Sequence, residues 1–237
     1  MTGTKRNLAI FDIDGTIMHS AGHDVSLFRE AHAQHIPKES MTAHWGNFSQ
    51  MTDFAINNEF FDRVHGRAPT DHELNAIQST FIALVRDAHM ARPEIFSPVL
   101  GALHAIENLS GHTDWAVGFA SGGWEVSATY KLETMGINAN AYPTAFGDAH
   151  ADRLTLVQSA IDAAKITHDR DAFDHIVSVG DGIWDVAAAR DLNLPFIGIS
   201  SWVSRETLME AGAQDVIDHY EDYAAFEQLL LNSRVPN

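Results

Sequence analysis

Three near-continuous apolar runs, each ending at a polar turn, most constrain what this chain can become. Leu8-Ala9-Ile10-Phe11 ends at Asp12, Trp115-Ala116-Val117-Gly118-Phe119-Ala120 ends at Ser121-Gly122-Gly123, and His175-Ile176-Val177-Ser178-Val179-Gly180 ends at Asp181. A strand with one wet face alternates apolar and polar residues. An unbroken apolar run belongs to a strand covered on both faces, as in a parallel sheet. Phe196 to Ile199 and Asp215 to Asp218 are shorter candidates. Helical spacing fills the gaps: Val99, Leu103, Ile106 and Leu109 within Pro98 to Leu109, then Trp124 to Met135 before Gly136, then Leu154 to Ala164. Strands alternating with helices imply an α/β fold, a parallel sheet joined by right-handed crossovers.

Residues 18–92 break this rhythm. They offer no convincing strand. Thr70 and Glu73 form a capping-box pattern, and Leu74, Ile77, Phe81, Leu84, Val85 and Ala88 follow at helical spacing. Phe54 to Val64 reads as another helix, closed by Gly66. The expected organisation is an α/β core of residues 1–17 and 93–237 with a helical insertion at 18–92, hinged near 16–20 and 92–98, where Pro93 and Pro98 punctuate the return.

Charge and composition exclude several functions. A net charge of −17 argues against nucleic acid and anionic membrane as partners. The absence of cysteine removes disulfides, thiolate catalysis and Cys-type zinc sites. The first apolar run is short and interrupted by Asp12 and Asp14, unlike a signal peptide, and no stretch has the length of a membrane span. A cytoplasmic protein is expected. The fourteen histidines are scattered, and His32 and His35, three apart, read as helix residues rather than ligands.

In an open parallel sheet, ligands bind at the carboxyl ends of the strands. That rule gathers Asp12 and Asp14, Ser121, and Asp181 and Asp185 into one crevice. Carboxylates crowded together repel unless a cation sits among them, and oxygen-only ligation suits magnesium, which pairs with phosphate. A hydroxyl and backbone N–H groups at Ser121-Gly122-Gly123 suit a phosphoryl oxygen.

In this order the residues resemble the haloacid dehalogenase (HAD) superfamily of phosphohydrolases. Asp12 to Thr16 match its Asp-x-Asp-Gly-Thr motif, Ser121 its second motif, and Gly180, Asp181 and Asp185 its Gly-Asp-x-x-x-Asp motif. The family's third motif is a Lys or, less often, an Arg near the start of the preceding helix. The familiar Lys-Pro pair is absent, and Arg153 is the best candidate. Lys165 lies at the far end of the same helix, and Lys131 falls on the wrong helix.

The resemblance implies a Rossmann-like, HAD-like core with an α-helical cap like that of phosphoglycolate phosphatases. It implies Asp12 as nucleophile forming an aspartyl-phosphate, Asp14 as general acid and base, and Ser121, Gly122 and Arg153 as phosphoryl holders. Mg2+ would be held by Asp12, the Asp14 carbonyl, Asp181 and Asp185. The expected substrate is a small phosphorylated metabolite. Asp14 argues against dehalogenases, which lack an acid there. Lys38 is the one lysine of the insertion, where phosphonate-cleaving relatives need a Schiff-base lysine. A sugar phosphomutase of the same family, a phospho-accepting receiver or a non-catalytic binding module remain alternatives. Part of the loop from Trp45 to Asp53, Trp45 and Asn47 in particular, is expected to face the leaving group. The alternative is a plain connection in which Thr52 or Asp53 caps the next helix.

Overall fold

The computed structural model describes residues 5–41, 48, 50–112 and 114–237. Six strands form one parallel sheet: β1 (Asn7–Phe11), β2 (Trp115–Ser121), β3 (Thr144–Phe146), β4 (His175–Gly180), β5 (Phe196–Ile199) and β6 (Val216–Ile217). Their order is β3–β2–β1–β4–β5–β6. Asn7 lies opposite Trp115 and His175, and Phe11 opposite Phe119 and Val179, so the carboxyl ends of β1, β2 and β4 come level. The order reverses beside β1, which places the ligand-binding crevice of such a sheet there.

The strand pleat sorts the apolar runs between two cores. Ala9 and Phe11 face α4 (Ala102–His112) and α9 (Tyr223–Asn232), through Ile106, Leu109, Phe226 and Leu230. Leu8 and Ile10 face α6 (Arg153–Thr167), through Leu156, Val157, Ala160 and Ile161. Both faces are therefore dry, as the unbroken runs require.

Between β1 and β2 the chain first builds α1 (Ala21–His32), α2 (Asp53–His65) and α3 (Asp71–Ala91), with no strand among the described residues of that stretch. They bury a separate core of Phe28, Phe60, Phe61, Ile77, Phe81 and Val85. Thr70 and Glu73 make the expected capping box at the start of α3, and Gly66, at φ 65°, closes α2. Trp124, at the start of α5 (Glu125–Thr134), inserts into this helical core, stacked on Phe28 with centroids 5.3 Å apart.

Several boundaries differ from those expected. β3, only three residues long, is too short to announce itself in the sequence. Helix α4 begins at Ala102, not Pro98. Residues 98–101 instead form the return, where Met18 bridges Pro98, the Val99 N–H donates to the Ile17 carbonyl, and Gly101 takes φ 79°. Helices α7 (Ile183–Asp191) and α8 (Arg205–Glu210) complete the fold.

Candidate active site

The turn after β1 is held by a glycine that no other residue replaces easily. Gly15 has φ +81°, and a Cβ there would lie 2.0 Å from Asp181 Oδ2. Removing that carbon lets the β1 turn and the β4 turn touch, which brings Asp12 and Asp181 together. The Thr16 hydroxyl lies 3.2 Å from Asp12 Oδ2 and 3.4 Å from Asp181 Oδ1.

Oxygens of Asp12, Asp181 and Asp185 all lie within 4.8 Å of one another, and all three residues are buried. Arg153 answers part of this charge. Its Nη2 donates to Asp12 Oδ1 at 2.5 Å and its Nε to Asp185 Oδ1 at 2.8 Å. Arg153 is the first residue of α6, and the Asp152 side chain accepts the Thr155 N–H to cap that helix. Capping fixes the helix start, and so sets the side chain across the crevice. Asp185 is held in turn by the Gly182 N–H at 3.0 Å.

One cation among three carboxylates leaves charge uncompensated. Burial, with Asp185 and Asp14 adding to it against Arg153, pushes Asp12 up to about 7. Burial, then Asp12 and Asp185, pushes Asp181 well above the usual carboxylate range. Asp181 Oδ2 is buried and has no hydrogen-bond partner among the described residues. An orphaned carboxylate oxygen beside two others is the donor set of a hard divalent cation, the class to which magnesium belongs, so the residues fit such an ion.

Asp14 stands apart from this cluster. Its Oδ1 accepts from the Ser20 hydroxyl and, at 2.7 Å, from Lys131 Nζ. Lys131 also donates to Asp24 Oδ2 at 2.6 Å and has no exposed surface. Sequence spacing sets Lys131 aside, yet α5 delivers it beneath the β1 turn. Its side chain runs inward from its helix to Asp14 rather than to Asp12, which helix membership alone does not tell. Asp24 is a second residue that sequence reasoning misses, since a lone acid near a helix start reads as an ordinary dipole partner. Lys165 pairs with Asp162 at the surface, away from the crevice.

Ser121 is buried at the end of β2, and its Oγ accepts the Gly123 N–H at 3.2 Å. A Cβ on Gly122 would lie 2.4 Å from the Met51 carbonyl oxygen and 2.5 Å from Arg153 Nη1. Here the helical insertion closes onto the core. The Asp53 and Phe54 N–H groups donate to the Gly122 and Gly147 carbonyls, and the Thr52 hydroxyl to the His150 carbonyl. Thr52 caps α2, while Asp53 turns to accept the Trp124 N–H at 2.9 Å. Trp45 and Asn47 lie outside the described residues, and the side chain of Lys38 is not described. Met51 and Asp53 do reach the cavity, which Asp12, Asp14, Ser121, Gly122 and Arg153 also line. His32 has no part in it. His32 is buried at the end of α1, with Nδ1 2.7 Å from the Phe28 carbonyl and Nε2 2.8 Å from Asn57 Oδ1.

A family model described as haloacid dehalogenase-like hydrolase matches residues 7–193. No curated protein matches the chain. Among solved structures, a hydrolase from Pseudomonas syringae is similar at 21% identity and TM-score 0.70, covering 93% of this chain and 97% of that one. CbbY from Rhodobacter sphaeroides, in complex with phosphate, is similar at 17% identity and TM-score 0.64, covering 91% and 95%. A predicted phosphoglycolate phosphatase from Haemophilus somnus 129PT is similar at 13% identity and TM-score 0.60, covering 96% and 100%. At such identities these likenesses establish the fold.

Proposed function

Because the chain belongs to the haloacid dehalogenase-like hydrolase family, we propose that it is a magnesium-dependent phosphatase of small phosphorylated metabolites, working through an aspartyl-phosphate. The observation that carries this reading is the separation of two carboxylates two residues apart. Asp12 sits with Asp181, Asp185 and Arg153, whereas Asp14 sits with Ser20 and Lys131. Two environments support two roles, nucleophile and proton carrier.

In this reading Asp12 attacks phosphorus in line with the ester oxygen. As the P–O bond breaks, the Asp14 carboxyl gives its proton to the departing alkoxide. Asp14 then takes a proton from a water that attacks the phospho-enzyme, which releases phosphate and restores Asp12. Arg153 and Ser121 hold the phosphoryl oxygens, and Arg153 also offsets the charge of the nucleophile. Asp12, Asp181, Asp185 and the Asp14 carbonyl would hold magnesium, which supplies positive charge to the carboxylates and to the phosphoryl group. Residues 18–92 act as the cap over the cavity, excluding bulk water through the contacts of Asp53, Phe54 and Thr52 with the core.

The test is phosphate release from a panel of phosphate esters with magnesium, comparing the wild type with Asp12→Asn. The expected result is continuous turnover by the wild type and a loss of at least about 1000-fold in the variant. Equal rates would remove Asp12 from the chemistry. A single stoichiometric phosphorylation without turnover would instead mark a receiver.

A further inference from the structure

The leaving-group end of the cavity is more acidic than phosphoryl transfer requires. Four carboxylates line the cavity, Asp12, Asp14, Asp24 and Asp53, against one guanidinium, that of Arg153. Arg153 is already bound to Asp12 and Asp185, and Lys131, beneath the floor, to Asp14 and Asp24. Among the described residues, no lining cation remains for a second anion on the substrate. A phosphate ester that also bears a carboxylate or a second phosphate would bring its extra charge against Asp24 and Asp53.

Two features go beyond repulsion and point to what the space receives. Asp24 Oδ1 is a buried oxygen with no hydrogen-bond partner among the described residues. Burial lifts the Asp24 carboxyl to about 7 and that of Asp53 well above its usual range, the latter raised further by Asp24. A cation seated between them would offset both penalties. The rest of the wall suits a small organic cation better than a hydrated metal. Phe28 of α1 lines it, as do Trp184 and Trp202, whose rings lie 6.0 Å apart at 55°. Ring faces attract an ammonium, and apolar walls accept the methylenes that join it to the ester oxygen.

We propose that the preferred substrate is a short-chain amino-alcohol phosphate, its ammonium group held by Asp24 and Asp53 while the phosphoryl group meets Asp12. This rests on the phosphatase reading and adds the class of leaving group to it. A cation seated between them favours their ionised form, which accepts hydrogen bonds and does not donate them, so an ammonium matches this wall better than a neutral polyol.

The test is kcat/KM with magnesium for 2-aminoethyl phosphate, phosphocholine, glycerol 3-phosphate, phosphoglycolate and a sugar bisphosphate, with p-nitrophenyl phosphate as the reference. The ammonium esters are expected to exceed glycerol 3-phosphate by about tenfold and the doubly anionic esters by about 100-fold, through KM more than kcat. Comparing the primary with the quaternary ammonium tells whether carboxylates or rings dominate; preference for either supports the proposal. In Asp24→Asn and, separately, Asp53→Asn, the ratio of ammonium ester to glycerol 3-phosphate is expected to fall towards one, with unfolding temperatures confirming that each variant is folded. Preference for phosphoglycolate, the bisphosphate or glycerol 3-phosphate overturns the proposal, as does an unchanged ratio in both variants. Turnover of p-nitrophenyl phosphate without ammonium preference overturns this proposal alone. No phosphate release from any ester overturns the phosphatase reading and this proposal with it.

Discussion

Replacing Lys131 with methionine tests how the helical insertion and the core are joined. Lys131 has no exposed surface and donates to Asp14 at 2.7 Å and Asp24 at 2.6 Å. Methionine keeps the stem and deletes the charge, leaving two half-buried acids without the cation they share. Breaking a buried ion pair by removing one partner costs about 3–5 kcal/mol. For a chain of this length each kcal/mol is worth about 2–4 °C, so the unfolding temperature is expected to fall by roughly 10 °C. Burial, with Asp14 adding to it against Lys131, already lifts Asp24 to about 7 in the wild type. A folded-state acid with a raised pKa holds its proton when the unfolded chain has released it, so its contribution falls as pH rises from the unfolded pKa to the folded one. Without Lys131 that window extends upward. The deficit is therefore expected to widen above about pH 7, where wild-type Asp24 ionises beside its lysine. Asp24→Asn in the Lys131→Met background removes one stranded acid and should recover a substantial part of the loss. Thermal unfolding of the four proteins of this cycle between pH 5.5 and 8.5 is the assay. A fall of less than about 2 °C for Lys131→Met, or a deficit that shrinks as pH rises, would refute the reasoning.

Three further outcomes follow from particular contacts. Burial, against hydrogen bonds to Phe28 and Asn57, holds His32 below its ordinary value; a base lowered in the fold gives its full stability above about pH 6.5 and loses up to about 1.4 kcal/mol per unit below it. His32→Gln should flatten that acid limb in urea titrations from pH 7.5 to 5, and identical limbs would disprove the assignment. Gly15→Ala meets Asp181 Oδ2 and a φ of +81°, so it should lose about 1–2 kcal/mol and the rise in unfolding temperature expected of the wild type on adding magnesium; an undiminished magnesium shift counts against the carboxylate cluster as the metal site. Thr70→Ala breaks the capping box of α3, which should cost about 1 kcal/mol and roughly 3 °C while leaving kcat unchanged; no thermal shift would mean that the α3 start does not limit stability.

The sequence by itself determined the α/β architecture, because dry strands must be apolar throughout and runs such as Leu8 to Phe11 admit little else. It also determined that Asp12, Ser121 and Asp181 share one edge, since parallel strands carry their carboxyl ends to the same side. Local signals such as Thr70 with Glu73 and Gly66 were equally legible, because caps are satisfied by neighbours in the chain. Arg153 was nameable as a cation at a helix start, and only the folded crevice joined it to both Asp12 and Asp185. Tertiary structure alone decided the rest. Lys131 and Asp24 carry no sequence signal, because each becomes notable only when separate helices bring Lys131 between Asp14 and Asp24. Asp53 looked like a cap and became a wall of the cavity because α2 docks its first N–H groups on the core. Periodicity and strand order read contacts along the chain, whereas the charge of a pocket is the sum of side chains that meet only after long-range closure.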